Sequence, residues 1–251
     1  MRAIYRLGRF RPKIIAKRNQ ILTKLDDAGV MQNQVFDPIA YWQWRYRTGG
    51  TSGAGSRGRL AAFKAEVVNR LIAANQIASV IDLGCGDGVQ MAMIGADGQG
   101  PHYLGVDVSP DALAMCLYRG GGNRRFLLYE DFAAAIPAHT ADLAISMDVI
   151  YHLTDDAVYY NYLDDLFGCA ERMVLIYASN IHAATRDTHV RHRCFTETIK
   201  SRFPDWRLAA MLPNRFSFDP AQPEQTSFAD FYFFTPISAG IIVTVPAAEL
   251  C

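Results

Sequence analysis

Two acids and three glycines in this sequence are spaced as if to hold a nucleoside. The first acid lies in Ser79-Val80-Ile81-Asp82-Leu83-Gly84-Cys85-Gly86-Asp87-Gly88-Val89-Gln90. Val80, Ile81 and Leu83 read as a short buried strand. The chain then turns through Gly84, Gly86 and Gly88 into a helix-like segment, Val89 to Ile94. Glycine serves where backbone must bend tightly or approach a ligand with no Cβ in the way. A second strand, His102 to Val108, carries Asp107, 25 residues after Asp82. An acid at the end of the second strand of a doubly wound sheet suits a ribose with both hydroxyls free. Ser109 then reads as a helix cap, with Pro110 at the first helical position.

A second group of chemically able residues lies downstream. His189-Val190-Arg191-His192-Arg193 places two histidines and two arginines in one expected loop. A histidine can accept a hydroxyl proton near neutral pH. An arginine can grip a carboxylate or phosphate at two points. The competing reading is a structural loop whose charges pair with Asp155, Asp156 or Glu197. Asp148, Tyr151 and His152 follow an expected fourth strand from Asp142, and Asn180 follows an expected fifth, Arg172 to Ala178. Ligands of open parallel sheets bind at such carboxyl ends. His189 and His192, three residues apart, could also be read as metal donors with Asp148 and Asn180 at strand ends, but no metal is assigned.

The elements that must position these residues alternate strand and helix. Helices are expected over Leu60–Ala74, Pro110–Tyr118 and Tyr159–Ala170, with Thr196 capping another. A strand is expected over Arg125–Tyr129. Trp206–Leu212 and Phe228–Pro236 read as a closing antiparallel hairpin, and Gly240–Val245 as a further edge strand. The fold class is α/β: a Rossmann-like, doubly wound, seven-stranded, mostly parallel sheet with an N-terminal helical lid extension. Residues 1–58 form that extension and 59–251 the main domain.

The order Tyr-Trp, a Gly/Ser-rich loop, Asp-Leu-Gly-Cys-Gly-Asp-Gly and His-Val-Arg-His-Arg resembles a subgroup of class I S-adenosylmethionine (SAM) dependent methyltransferases, some linked to glycan synthesis. The resemblance runs from about Tyr41 to about Phe234. It implies SAM as cofactor, held by Asp82, Gly84, Cys85, Gly86, Gly88, Gln90, Asp107 and Val108. It also implies Asp131 at the adenine amino group, Phe132 on the ring, and Ser146 and Met147 at the methionine end. His192 or His189 is the expected base, oriented with the acceptor by Asp148 and His152. Arg191, Tyr151, Asn180 and Tyr46 are expected to contact substrate. The segment after the fourth strand lacks Asp/Asn-Pro-Pro-Tyr and Pro-Cys, so oxygen or a small-molecule nitrogen is the expected acceptor, a sugar or glycan hydroxyl first.

Composition bounds the alternatives. The 251 residues are 50% hydrophobic and 20% charged, which suits a globular protein with a full core. Net formal charge is zero, so charge gives no reason to expect nucleic acid. Five scattered cysteines without a Cys-x-x-Cys pair fit a reduced, cytoplasmic setting. Eight Lys or Arg residues, Arg2 to Lys24, precede the first acid and could touch a membrane surface or anionic substrate, though an ordinary solvated helix is the simpler reading. Tyr41, Trp42, Trp44 and Tyr46, ahead of Gly49–Gly58, suit a lid over a cofactor. The alternatives are an N- or carboxyl-methyltransferase acting on a peptide or natural product, a nucleotide-binding oxidoreductase, and a non-catalytic SAM-fold partner. The dinucleotide fingerprint would need its third glycine one residue later.

Overall fold

A computed structural model describes residues 36–95, 100–120, 122–136, 138–185 and 187–239. The basic arm and the expected strand after Gly240 lie outside these residues. The chain enters with α1 (Pro38–Arg47), started by Asp37, whose carboxylate accepts from the N–H groups of Ile39 and Ala40. The glycine and serine loop follows, and then α2 (Gly58–Asn75), which ends where Gln76 turns left-handed at φ 51°. β1 (Ser79–Leu83), β2 (His102–Asp107) and α3 (Pro110–Arg119) come next. β3 (Arg124–Leu128), α4 (Tyr129–Ala134), β4 (Ala141–Met147), α5 (Asp156–Gly168) and β5 (Ala170–Ala178) complete the alternating part. α6 (Phe195–Arg202), β6 (Trp206–Leu212) and β7 (Asp230–Pro236) close the chain.

The seven strands form one sheet in the order β3-β2-β1-β4-β5-β7-β6. Pairing is parallel from β3 to β5 and antiparallel where β7 meets β5 and β6. One apolar layer packs Val67, Val68 and Leu71 of α2 and Leu113 and Cys116 of α3 against one face. The other packs Phe132 of α4, Leu163 and Leu166 of α5 and Phe195 and Ile199 of α6 against the opposite face. Such two-sided covering explains the continuous apolar run Met173–Ala178 in β5. The strand order reverses between β1 and β4, and a crevice opens there at the strand ends.

Two expected local features differ. Val89–Ile94 is no α-helix, only a turn leading to a 3₁₀ turn at Met91–Met93. The carbonyls that would extend it are captured by side chains: Asn69 Nδ2 donates to Met93 O and Arg124 to Ile94 O, each at 2.8 Å. Thr196 is not the cap of α6 but lies inside it. Its N–H donates at 3.1 Å to Asn180 Oδ1, a residue from the end of β5.

Candidate active site

One pocket at the switch point gathers most of the expected residues. Its floor is the bend after β1, where Gly84 and Gly86 have φ of 90° and 60°. A Cβ on Gly84 would collide with Val149, and one on Gly86 would come within 2.5 Å of Ser52 Oγ. The bend is stapled to the glycine and serine loop. Ser52 N–H donates to Asp87 Oδ2 at 3.3 Å, Asp87 N–H donates to Ser52 Oγ at 3.1 Å, and Arg57 pairs with the buried Asp87 carboxylate. Burial alone would raise Asp87, but Arg57 outweighs it and holds the carboxyl below its usual value.

Asp107 ends β2 with one oxygen accepting from Gly86 N–H and the other from Ser109 N–H, both at 2.9 Å. Burial pushes its carboxyl up to about 6, against these backbone donors. Asp82 accepts from Tyr103 O–H at 2.5 Å. Burial pushes it up to about 7, while Tyr103 and Lys64 pull the other way. Gln90 Nε2 donates to Ala61 O at 2.8 Å, but its Oε1 is buried without a partner. Gln90 is among the residues that line the pocket, and an acceptor left over there suits a ligand amine.

Asp148, just past β4, lines the same pocket in a left-handed conformation, φ 61°. Its Oδ2 pairs with Lys64 Nζ at 2.5 Å, and its Oδ1 accepts from Tyr151 O–H at 2.8 Å. His152 is also in the pocket. Its Nδ1 lies 2.9 Å from His189 O, and a carbonyl can only accept, so Nδ1 carries the proton and Nε2 a lone pair. Burial holds His152 down at about 4, so the ring is neutral at pH 7. Trp42 packs edge-on against it, with Tyr46, Pro38 and Ile39 completing that wall.

The pocket therefore brings together Asp82, Gly84, Cys85, Gly86, Gln90, Asp107, Val108, Met147, Asp148, His152 and Tyr46. Others stand elsewhere, and each has a physical reason. Gly88 faces away, where a Cβ would meet Cys116 Sγ at 2.9 Å. Ser146 is buried behind the wall, its Oγ 2.7 Å from the Tyr162 hydroxyl oxygen. Asp131 is exposed on α4, and Phe132 is fully buried in the core, stacked on His139. α4 begins at Tyr129, so that residue, stacked on Tyr162, faces the pocket instead. Tyr151 backs Asp148, and His189 stacks behind His152.

The basic loop is spent mainly on structure. Arg191 and Arg193 both pair with Asp156 and donate to the Thr154 carbonyl. His192 Nδ1 lies 2.7 Å from Ser179 Oγ in a separate surface cleft, and burial lowers its pKa. Asn180 is consumed by Thr196. Among the described residues, His182, Cys194 and Glu197 could converge on an ion, at the surface and away from this pocket.

Sequence reasoning missed Lys64, Tyr129, Tyr162 and the Ser52–Asp87–Arg57 staple. Lys64 did leave a signal, as a lysine set between Leu60, Val67 and Leu71 on the apolar face of α2.

With that geometry in place, comparison with known proteins decides the family. The family model described as "Methyltransferase domain" matches residues 56–217, more than half of the chain. The chain belongs to this methyltransferase domain family. No curated protein matches the sequence significantly. Among solved structures, the N-methyltransferase NodS from Bradyrhizobium japonicum WM9, in complex with S-adenosyl-L-homocysteine, superposes with a TM-score of 0.61 at 12% identity, covering 80% of this chain and 100% of that one. An O-methyltransferase family protein from Burkholderia thailandensis gives 0.61 at 13% identity, covering 88% and 71%. Magnesium protoporphyrin IX methyltransferase from Synechocystis PCC 6803, with bound SAM, gives 0.55 at 17% identity, covering 81% and 99%. The methyltransferase takes SAM as its cofactor, and the open glycine bend, the Asp107 carboxylate and the orphan Gln90 oxygen fit it.

Proposed function

We propose that this methyltransferase moves a methyl group from SAM to an oxygen of a small-molecule acceptor, with a sugar or glycan hydroxyl the first candidate. The observation that carries the reading is one pocket lined both by the glycine bend with Asp107 and by the Asp148 carboxylate. When bound, SAM supplies a methyl group already made electrophilic by its sulfonium. The protein's tasks are then to align, to exclude water and to take a proton.

Asp107 would accept from ribose hydroxyls, and Gln90 Oε1 from the cofactor's amine. Tyr129 would pack on the base, in place of Phe132. Trp42, Tyr46 and Ile39 line the pocket from the N-terminal side, which supports the lid reading of the segment before residue 59. The base role passes from His192 and His189 to Asp148, because neither histidine lines this pocket. His152 is held neutral and shapes the acceptor's place.

Nitrogen is the second reading. NodS is named as an N-methyltransferase, and a carboxylate beside Trp42 and His152 would also receive an amine. The zero net charge gives no attraction to nucleic acid, and scattered cysteines without a Cys-x-x-Cys pair fit a reduced, cytoplasmic setting. The basic arm remains a proposed contact with an anionic surface or acceptor. Labelled SAM incubated with fractionated cell extract tests the reading. Label in a hydroxyl-bearing sugar fraction is expected, and label confined to protein or nucleic acid would refute the acceptor class.

A further inference from the structure

Lys64 is a cation buried where the fold asks for an apolar residue. It stands on α2 among Leu60, Val67 and Leu71, and it is 1% exposed. A buried ammonium needs a counter-charge. Its Nζ meets Asp148 Oδ2 at 2.5 Å and lies 5.3 Å from the centre of the Tyr177 ring. Asp148 itself is held in an unfavourable backbone conformation, φ 61°, with its N–H donating to Tyr177 O at 3.0 Å. Tyr151 O–H donates to its other oxygen. Gly55 passes so close that a Cβ there would lie 3.2 Å from Oδ2. The carboxylate is fixed on three sides, yet it remains 15% exposed and lines the pocket.

We infer that Lys64 is a positioning residue that holds the Asp148 carboxylate aimed to receive the acceptor's proton. This rests on the pocket being the methyl-transfer site. The groups facing Asp148 are Lys64 from α2, Tyr151 and His152 from the turn after β4, and Tyr177 from β5. Asp82, at the end of β1, feels the same lysine. In the step, the acceptor's O–H bond breaks and its proton goes to Asp148. The new O–CH₃ bond forms as the S–CH₃ bond breaks, and that electron pair returns to sulfur. Asp148 later gives its proton to water.

The test needs no known acceptor. Protein carrying ¹³C-carboxyl aspartate is saturated with S-adenosylhomocysteine, and the Asp148 resonance is assigned with Asp148→Asn. In Lys64→Met the Asp148 carboxyl resonance at fixed pH should move from its wild-type position, because the ammonium paired with Oδ2 is gone. An unmoved resonance would overturn the inference. Should Lys64→Met alone fail to fold, Lys64→Met/Asp148→Asn removes both charges together, which a buried pair tolerates far better than losing one. That double variant should melt near the wild type and bind S-adenosylhomocysteine. It should also incorporate label from SAM into extract at least about 100-fold more slowly, in line with loss of a general base. Wild-type incorporation by the double variant would make the pair merely structural. A wild-type protein that neither binds S-adenosylhomocysteine nor incorporates label would instead remove the reading of the pocket.

Discussion

At the scale of single residues, the site is a matter of which polar atoms are committed and which are left over. His192 is bonded to Ser179, and Arg191 is paired with Asp156, while Asp148 keeps an opening to the pocket. His192→Ala should therefore keep methyl incorporation within about threefold of the wild type. Asp148→Asn should lose about 100-fold or more, the scale of a general base. Initial rates of label transfer at matched SAM occupancy compare the two, and the opposite ranking would return the base to the basic loop. Asp107 offers a parallel case on the cofactor side. Its carboxylate can serve two ribose hydroxyls, and hydrogen bonds to a charged group contribute about 1.5–3 kcal/mol. Asp107→Asn should weaken S-adenosylhomocysteine binding by about that amount in calorimetry. An unchanged affinity would place the ribose elsewhere.

At the scale of elements, the glycine bend does not hold its shape alone. Asp87 is 2% exposed and would be an uncompensated buried charge without Arg57 and the Ser52 N–H. Arg57→Met should lower unfolding stability by about 1–3 kcal/mol, because a buried acceptor loses its charged donor. It should also weaken cofactor binding, since the bend that Asp87 belongs to loosens. Chemical denaturation with and without S-adenosylhomocysteine measures both, and a variant as stable as the wild type would make the staple incidental. The sequence told much about such elements and less about their rotation. Periodicity and glycine spacing were enough to place β1, β2 and the pocket mouth, because apolar runs and left-handed turns leave composition signals. They could not tell that α4 begins at Tyr129, which turns Asp131 outward and Phe132 into the core. Nor could they tell that Lys64 lies on the buried side of α2, because the ion pair that makes this tolerable joins residues 84 positions apart. The loop His189–Arg193 poses a similar difficulty: residue types able to do chemistry are equally able to tie a loop to Asp156 and Thr154.

At the scale of the whole molecule, the pocket sets a pH dependence through acids held protonated and a histidine held neutral. Asp82 and Asp107 move from 3.8 in the open chain up to about 7 and about 6 in the fold. Their stabilising contribution is full below 3.8 and is lost as pH rises through those values. His152 moves from 6.5 down to about 4, so its contribution is full above 6.5 and is lost as pH falls toward 4. Between pH 4 and 6 two acids oppose one histidine, and these three groups together lower stability by about 1.4 kcal/mol per pH unit of rise. From 6 to 6.5 Asp82 and His152 cancel, and from 6.5 to 7 Asp82 alone continues the fall. A ligand that brings hydroxyl donors to Asp107 favours its ionised form, so its binding releases protons. The rise in melting temperature caused by saturating S-adenosylhomocysteine should therefore be larger at pH 7.5 than at pH 5.5, and Asp107→Asn should flatten the difference. Equal shifts at both pH values, in buffers of matched ionic strength, would mean that Asp107 does not change protonation when the cofactor binds.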